Sequence, residues 1–304
     1  MAVIKTERGV MDTSKGIYAG LAGVLLEAPE CSLGSGIRLT QTYAHLMAPF
    51  MMAFSPAPPG GHHPAPWSAV SGGFGFDIHV QLEIPPATAS SLSLDPEFIA
   101  WWITAFLRLR VGPIFLVPVL GEQSFEAAKS SPNSAKYYPI ETESRFLMLD
   151  PNARRSLTEV DVAWVAKYWI EASKLFYEND SFRTLFEATD QCMFARHRSL
   201  AMLWLWGGLE GVFSPEKAEL RYRISSAIAS FLEPAGVPRM NAQKAISKLY
   251  DSRSATAHGR KDKKRDSLQE SYALARRAVV KMIEDNRVPT HVELEAKLFG
   301  ADPL

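Results

Sequence analysis

Apolar and polar residues alternate along Phe74–Ile84, with Phe74, Phe76, Ile78, Val80, Leu82 and Ile84 on one parity and Gly75, Asp77, His79, Gln81 and Glu83 on the other. That period of two predicts a strand with one face on a core and the other toward water. Shorter apolar runs at 23–26, 37–43, 114–120 and 145–149 predict further strands, with Pro113 and Pro118 favouring an edge or loop ends for the third. A helix interrupts them. Asp95 suits an N-cap, Pro96 suits the first helical position, and Phe98, Trp101, Trp102, Ala105 and Leu109 recur at helical spacing. Residues 55–67, dense in Pro and Gly, read as an irregular loop.

From Thr158 onward the period is helical. Val165, Tyr168, Trp169, Ala172, Leu175 and Phe176 form one stripe that ends before Asn179-Asp180. A longer helix is expected over 181–212, and a third opens at Ser214-Pro215-Glu216 and stops near Pro234 and Gly236. Asn241 is a candidate cap for a fourth. Leu268, Tyr272, Ala275, Val279 and Met282 mark a fifth, and a short helix follows Thr290. The change of period predicts an α+β protein: a mixed α/β domain over 1–150 and an all-α bundle over 151–304.

The length of 304 residues suits two such cores. Cys31 and Cys192 are too few and too far apart for a disulfide framework or a cysteine-rich zinc site, so a reducing compartment is expected. Residues 1–12 lack the apolar core of a secretory signal, and the greasy stretch 201–209 is too short to span a bilayer. A cytoplasmic protein with no membrane partner follows as the expectation. The formal charge of zero hides a division. Residues 1–150 carry 9 Lys/Arg against 13 Asp/Glu, the remainder 24 against 20, and residues 239–281 carry 12 basic side chains against 4 acidic ones. That local excess favours a polyanionic partner.

The stripe Ile246, Leu249 and Tyr250 of the fourth helix continues to Arg253, and an arginine on an inward face needs an acid, a phosphate or a partner chain. His258 lies five residues on, a rotation of roughly 140° in an unbroken helix, so the two side chains converge only if the helix ends or bends. Gly259 is the residue type that ends helices. Guanidinium and imidazole together suit phosphate gripping and proton transfer, the two tasks of RNA cleavage without a metal or other cofactor. The plainer reading makes Arg253 and His258 a structural anchor of a helix C-terminus. Arg260, Lys261, Lys263, Lys264 and Arg265 form a basic run that suits RNA backbone or a solvated loop. Glu210, among Trp206, Leu209 and Phe213, is placed to orient Arg253 or to pair with Arg221 or Arg223. His62-His63 lacks metal-ligand spacing, His79 falls on a strand's polar face, and the glycine runs at 20–23 and 72–75 lack phosphate-loop context.

Three stretches, LWLWGGLEGVF at 203–213, ELRYRISS at 219–226 and LYDSRSATAHG at 249–259, resemble the HEPN superfamily and in particular its Apea-like group. The resemblance covers the helical half, and the N-terminal part resembles the variable partner domain such proteins carry. It implies a homodimer in which two Arg-x4-His motifs meet and cut RNA, with His258 as general acid or base and Arg253 stabilising phosphoryl charge. Ser254 and Glu210 would support them, and the basic run would hold RNA. A trigger or regulatory partner would act at the N-terminal domain, in phage defence or toxin-like growth arrest. Ser254 stands where many active members have Asn, Asp or His. A non-catalytic HEPN module that binds a nucleotide, RNA or protein is therefore the alternative.

Overall fold

The computed structural model describes residue 11 and residues 16–134, 136–143, 147–214, 220–257 and 266–301. The chain forms two compact units: one of residues 1–101, 115–144 and 155–159, and one of residues 102–114, 145–154 and 160–304. The units do not part at residue 150. Two segments from the expected N-terminal domain belong to the helical unit.

The first unit carries strands β1 (Ile17–Ala22), β2 (Leu25–Leu26), β3 (Glu30–Gly34), β4 (Ile37–Ala53), β5 (Trp67–Ile84), β6 (Leu116–Gly121), β7 (Tyr137–Pro139) and β8 (Ser156–Leu157). Six of them form a sheet in the order β3-β4-β5-β1-β6-β7, and β2 pairs with β8 in a small parallel pair. The alternation in β5 produces the expected core, since Ile78, Val80, Leu82 and Ile84 are all buried. On the opposite parity Gln81 is also buried, and its carbonyl oxygen accepts the Phe125 N–H at 2.8 Å. This hydrogen bond removes the desolvation cost of an unpaired amide. β5 starts at Trp67, well before the alternation, and Gly72, Gly73 and Gly75 dilute the apolar pattern that would have marked this part of it. β6 is not the expected edge strand but lies between β1 and β7. Pro118, which has no N–H to give, falls where the β1–β6 register shifts between Gly20 and Ala22. Leu147–Leu149, the described part of another expected strand, belong to no strand.

Helices α1 (Pro86–Leu92) and α3 (Phe125–Ser130) belong to the sheet unit, while α2 (Pro96–Val111) passes into the helical unit at Trp102. The predicted start of α2 is present: the Glu97 N–H donates to Asp95 Oδ1 at 2.7 Å. From Trp102 to Leu109 every residue is buried, Thr104 and Arg108 included, so this half of the helix is enclosed on all sides rather than amphipathic. Gly112, at φ +109°, ends it, and Arg276 donates to the carbonyls of Leu109 and Arg110 at 2.6 and 3.0 Å. A cation on the last turn satisfies orphan carbonyls and suits the helix dipole.

The helical unit continues with α4 (Glu159–Glu178), α5 (Asp180–Gln191), α6 (Arg198–Phe213), α7 (Leu220–Leu232), α8 (Val237–Ala257), α9 (Ser267–Asp285) and α10 (His291–Phe299). Thr290 and Glu293 form a reciprocal capping box on α10. The single helix expected over 181–212 is divided. A 3-10 turn at Cys192–Phe194 separates α5 from α6, and no glycine or proline marks the break. Its cause is tertiary: the Met193 carbonyl accepts the Leu147 N–H at 2.7 Å, and Asp190 pairs with buried Arg108. α8 begins four residues before Asn241, at the turn of Gly236, whose φ of +102° lets the chain reverse.

Trp102 centres the core of this unit. Its ring lies 4.3 Å from that of Phe186 and 4.9 Å from that of Phe176, and its indole N–H donates to the Trp169 carbonyl at 2.8 Å. Arg108 donates to both oxygens of Asp190 at 3.1 and 3.3 Å, and its guanidinium lies 5.7 Å from the Phe194 ring centre. A fragment beginning at residue 151 loses Trp102 and removes the Arg108 cation that pairs with buried Asp190. It is expected to be insoluble or to unfold without a cooperative transition, and calorimetry of a soluble, cooperatively melting 151–304 fragment would contradict this. In the full chain, Asp190→Ala should cost about 3–5 kcal/mol, since Arg108 would lose the carboxylate that neutralises its buried charge.

Candidate functional site

Gly208 sets the position of α6. A Cβ there would stand 2.8 Å from the Leu185 Cα, so only glycine lets α6 approach α5 this closely. Trp206 and Glu210, four residues apart, then occupy one face of α6. Trp206 is fully buried, with its indole N–H donating to Ser271 Oγ at 3.0 Å on α9 and its ring 5.3 Å from Tyr250 at an angle of 82°. That edge-to-face contact fixes α8 against α6.

One turn beyond Tyr250, Arg253 meets Glu210, as the inward stripe requires. The Arg253 Nη2 lies 3.0 Å from Glu210 Oε2 and 2.9 Å from Oε1, and the two side chains are 24% and 23% exposed. The guanidinium carbon lies 5.6 Å from the Tyr250 ring centre. Trp206, Tyr250 and Arg253 therefore form a ladder from the core to the half-buried surface. Glu210 engages Arg253 through a single nitrogen. Arg253 Nε and Glu210 Oε1 are buried and lack a well-aligned hydrogen-bond partner among the described residues. Nε is closed off, so the donors a guanidinium held in this way keeps for an incoming oxygen are those of Nη1.

Burial raises the Tyr250 phenol above its ordinary range, with the Glu210 carboxylate adding to the rise and Arg253 opposing it. Arg221, one of the two other sequence candidates for Glu210, pairs instead with Asp251 at 2.7 Å. Ser254 follows Arg253 on α8 and is half-buried. The helix is unbroken from Arg253 to Ala257. His258, Gly259 and the basic residues Arg260, Lys261, Lys263, Lys264 and Arg265 lie outside the described residues.

A polar group that the linear pattern missed lies on the sheet. His45 Nδ1 is 2.8 Å from Asp77 Oδ1, and the Tyr43 hydroxyl donates to the same oxygen at 3.3 Å. The His45 hydrogen bond is the main cause of lowering the Asp77 carboxyl, with the Tyr43 hydrogen bond and His79 acting in the same sense. Residues 45 and 77 are adjacent only through the β4–β5 register. Cys192 is no nucleophile, because burial pushes its thiol far up. Among the described residues no three His, Cys, Asp or Glu side chains gather as a metal ion requires, and no helix is long and apolar enough to cross a membrane. The chain matches no known family model, curated protein or solved structure.

Removing the Glu210 charge should be visible at Tyr250. A tyrosine whose folded pKa is raised contributes stability that is complete below the unfolded value near pH 10 and is lost as pH rises through the folded value. In Glu210→Gln, tyrosinate absorbance referenced to Tyr250→Phe should show Tyr250 titrating at lower pH than in the parent, and an unchanged titration would contradict the contact. Glu210→Ala should also cost about 1–2 kcal/mol of stability in denaturant unfolding, a figure reduced because the pair is partly solvated.

Proposed function

We propose that this chain is an RNA endonuclease of HEPN type, working without a metal ion through Arg253 and His258. The observation that carries the reading is the state of Arg253: anchored by Glu210 through Nη2, backed by Tyr250 and still 24% exposed. A phosphoryl oxygen would accept from the donors that Glu210 leaves unused at Nη1. In the proposed reaction a ribose 2′-oxygen attacks the adjacent phosphorus and the P–O5′ bond breaks. His258 takes the 2′-hydroxyl proton and returns it to the departing O5′, and Arg253 neutralises the charge growing on the non-bridging oxygens. DNA lacks the nucleophile.

Pairing of two sites is supported by the outer face of α6. Leu200, Leu203 and Trp204 are each more than a third exposed, and Gly207 and Gly211 continue the same stripe with open space around them. An apolar stripe on the helix that carries Glu210 suits a second copy of the bundle.

His258→Ala removes the proton carrier and leaves the phosphate contact. It should abolish cleavage of single-stranded RNA while keeping most of the affinity, whereas Arg253→Ala should lose both. Cleavage should persist in EDTA and fail when ribose is replaced by deoxyribose. The assay is best run on the full chain, alongside growth arrest on expression. A full chain that is harmless when expressed and binds RNA without cutting it, unaltered by His258→Ala, would instead identify a non-catalytic binding module.

A further inference from the structure

A long exposed apolar feature among the described residues lies in the sheet unit. β3 covers the outer edge of β4 only as far as Thr40, and β1 covers the other edge of β5 only from Ile78 onward. Beyond those points β4 and β5 continue as a two-stranded ribbon, paired to each other from Ala44↔Ile78 to Ala53↔Trp67 and to no other strand among the described residues. Ten residues of strand reach roughly 33 Å. Both faces of the ribbon are open: residues 67–73 are exposed at every position, and the consecutive residues Phe50, Met51 and Met52 are 53%, 56% and 50% exposed. Met47, Phe54 and Trp67 are exposed to a similar degree. From Leu46 to Phe76 the sequence contains no Asp, Glu, Lys or Arg.

We propose that this ribbon is a self-association arm that pairs with the same ribbon of a second copy of the chain. Soluble proteins blunt a free strand edge with charge, and beyond the His45–Asp77 pair at its base this ribbon has no Asp, Glu, Lys or Arg. Two identical surfaces normally bring like charges together on a two-fold axis, and the uncharged stretch removes that repulsion. Edge-to-edge pairing also satisfies the outer N–H and C=O groups. A bilayer offers those groups nothing, so a lone ribbon in hydrocarbon would keep its edges unsatisfied. The exposed surface of the six named side chains is on the order of 700 Å², close to one partner's share of a stable interface. This association is independent of the nuclease reading and of the α6 face.

Sedimentation of the full chain provides the test, with Met51→Lys and Val70→Lys each placed on an exposed ribbon position. Each variant should halve the molecular mass of the parent, from dimer to monomer or from tetramer to dimer, with an unchanged circular dichroism spectrum and melting temperature. Trp204→Lys on α6 should leave ribbon pairing intact, seen as retained crosslinking between copies carrying a photo-reactive residue at position 51. An unchanged mass in both ribbon variants would overturn the proposal, as would crosslinks from position 51 to sites outside the ribbon. A parent chain that stays monomeric and binds phosphatidylcholine–phosphatidylglycerol vesicles would overturn it in favour of a lipid partner.

Discussion

The buried ion pair between Arg108 and Asp190 is the constraint on which the helical unit depends. Two opposite charges in an apolar interior are favourable only together, and Arg108 is 1% exposed. Their pairing fixes α5 against the second half of α2 and stops the long helix at Gln191, so that α6 starts in a new direction. α6 then meets α5 at Gly208 and presents Trp206 and Glu210 to α8. The orientation of Arg253 is the last consequence of that sequence of contacts.

The arrangement around Arg253 has a functional logic. An arginine fully forked onto a carboxylate has little left for a ligand, whereas one free in solvent has no fixed direction. Arg253 lies between these limits, held at Nη2, leaning on Tyr250 and partly desolvated. Partial burial strengthens its attraction for a phosphate relative to a fully hydrated side chain. Glu210 offsets the charge when no ligand is bound and keeps the guanidinium pre-oriented, which lowers the ordering cost of binding.

Much of this was legible in the sequence, for identifiable reasons. Strong periodicity located the buried part of β5 and the helices α2, α4 and α9, and the Thr290 and Asp95 caps marked helix starts. The inward stripe of α8 required a counter-charge for Arg253, and Glu210 was among the few acids on an apolar helix. The break between α5 and α6 was invisible because it depends on contacts with residues 108 and 147, far away in the chain. The extent of the β4–β5 ribbon was hidden by its glycines. The two compact units do not part at residue 150, because the largely apolar sequence of α2 shows burial without showing which core receives it. His45 and Asp77 meet through strand register, which spacing along one chain segment does not encode.

The nuclease reading rests on transesterification by a ribose 2′-oxygen, and the end groups of its products report that step directly. Mass spectrometry of RNA fragments released by the full chain is predicted to find 2′,3′-cyclic phosphate on the upstream fragment and 5′-hydroxyl on the downstream one. Fragments ending in a 3′-hydroxyl and a 5′-phosphate would contradict it, because water rather than the ribose would then be the nucleophile.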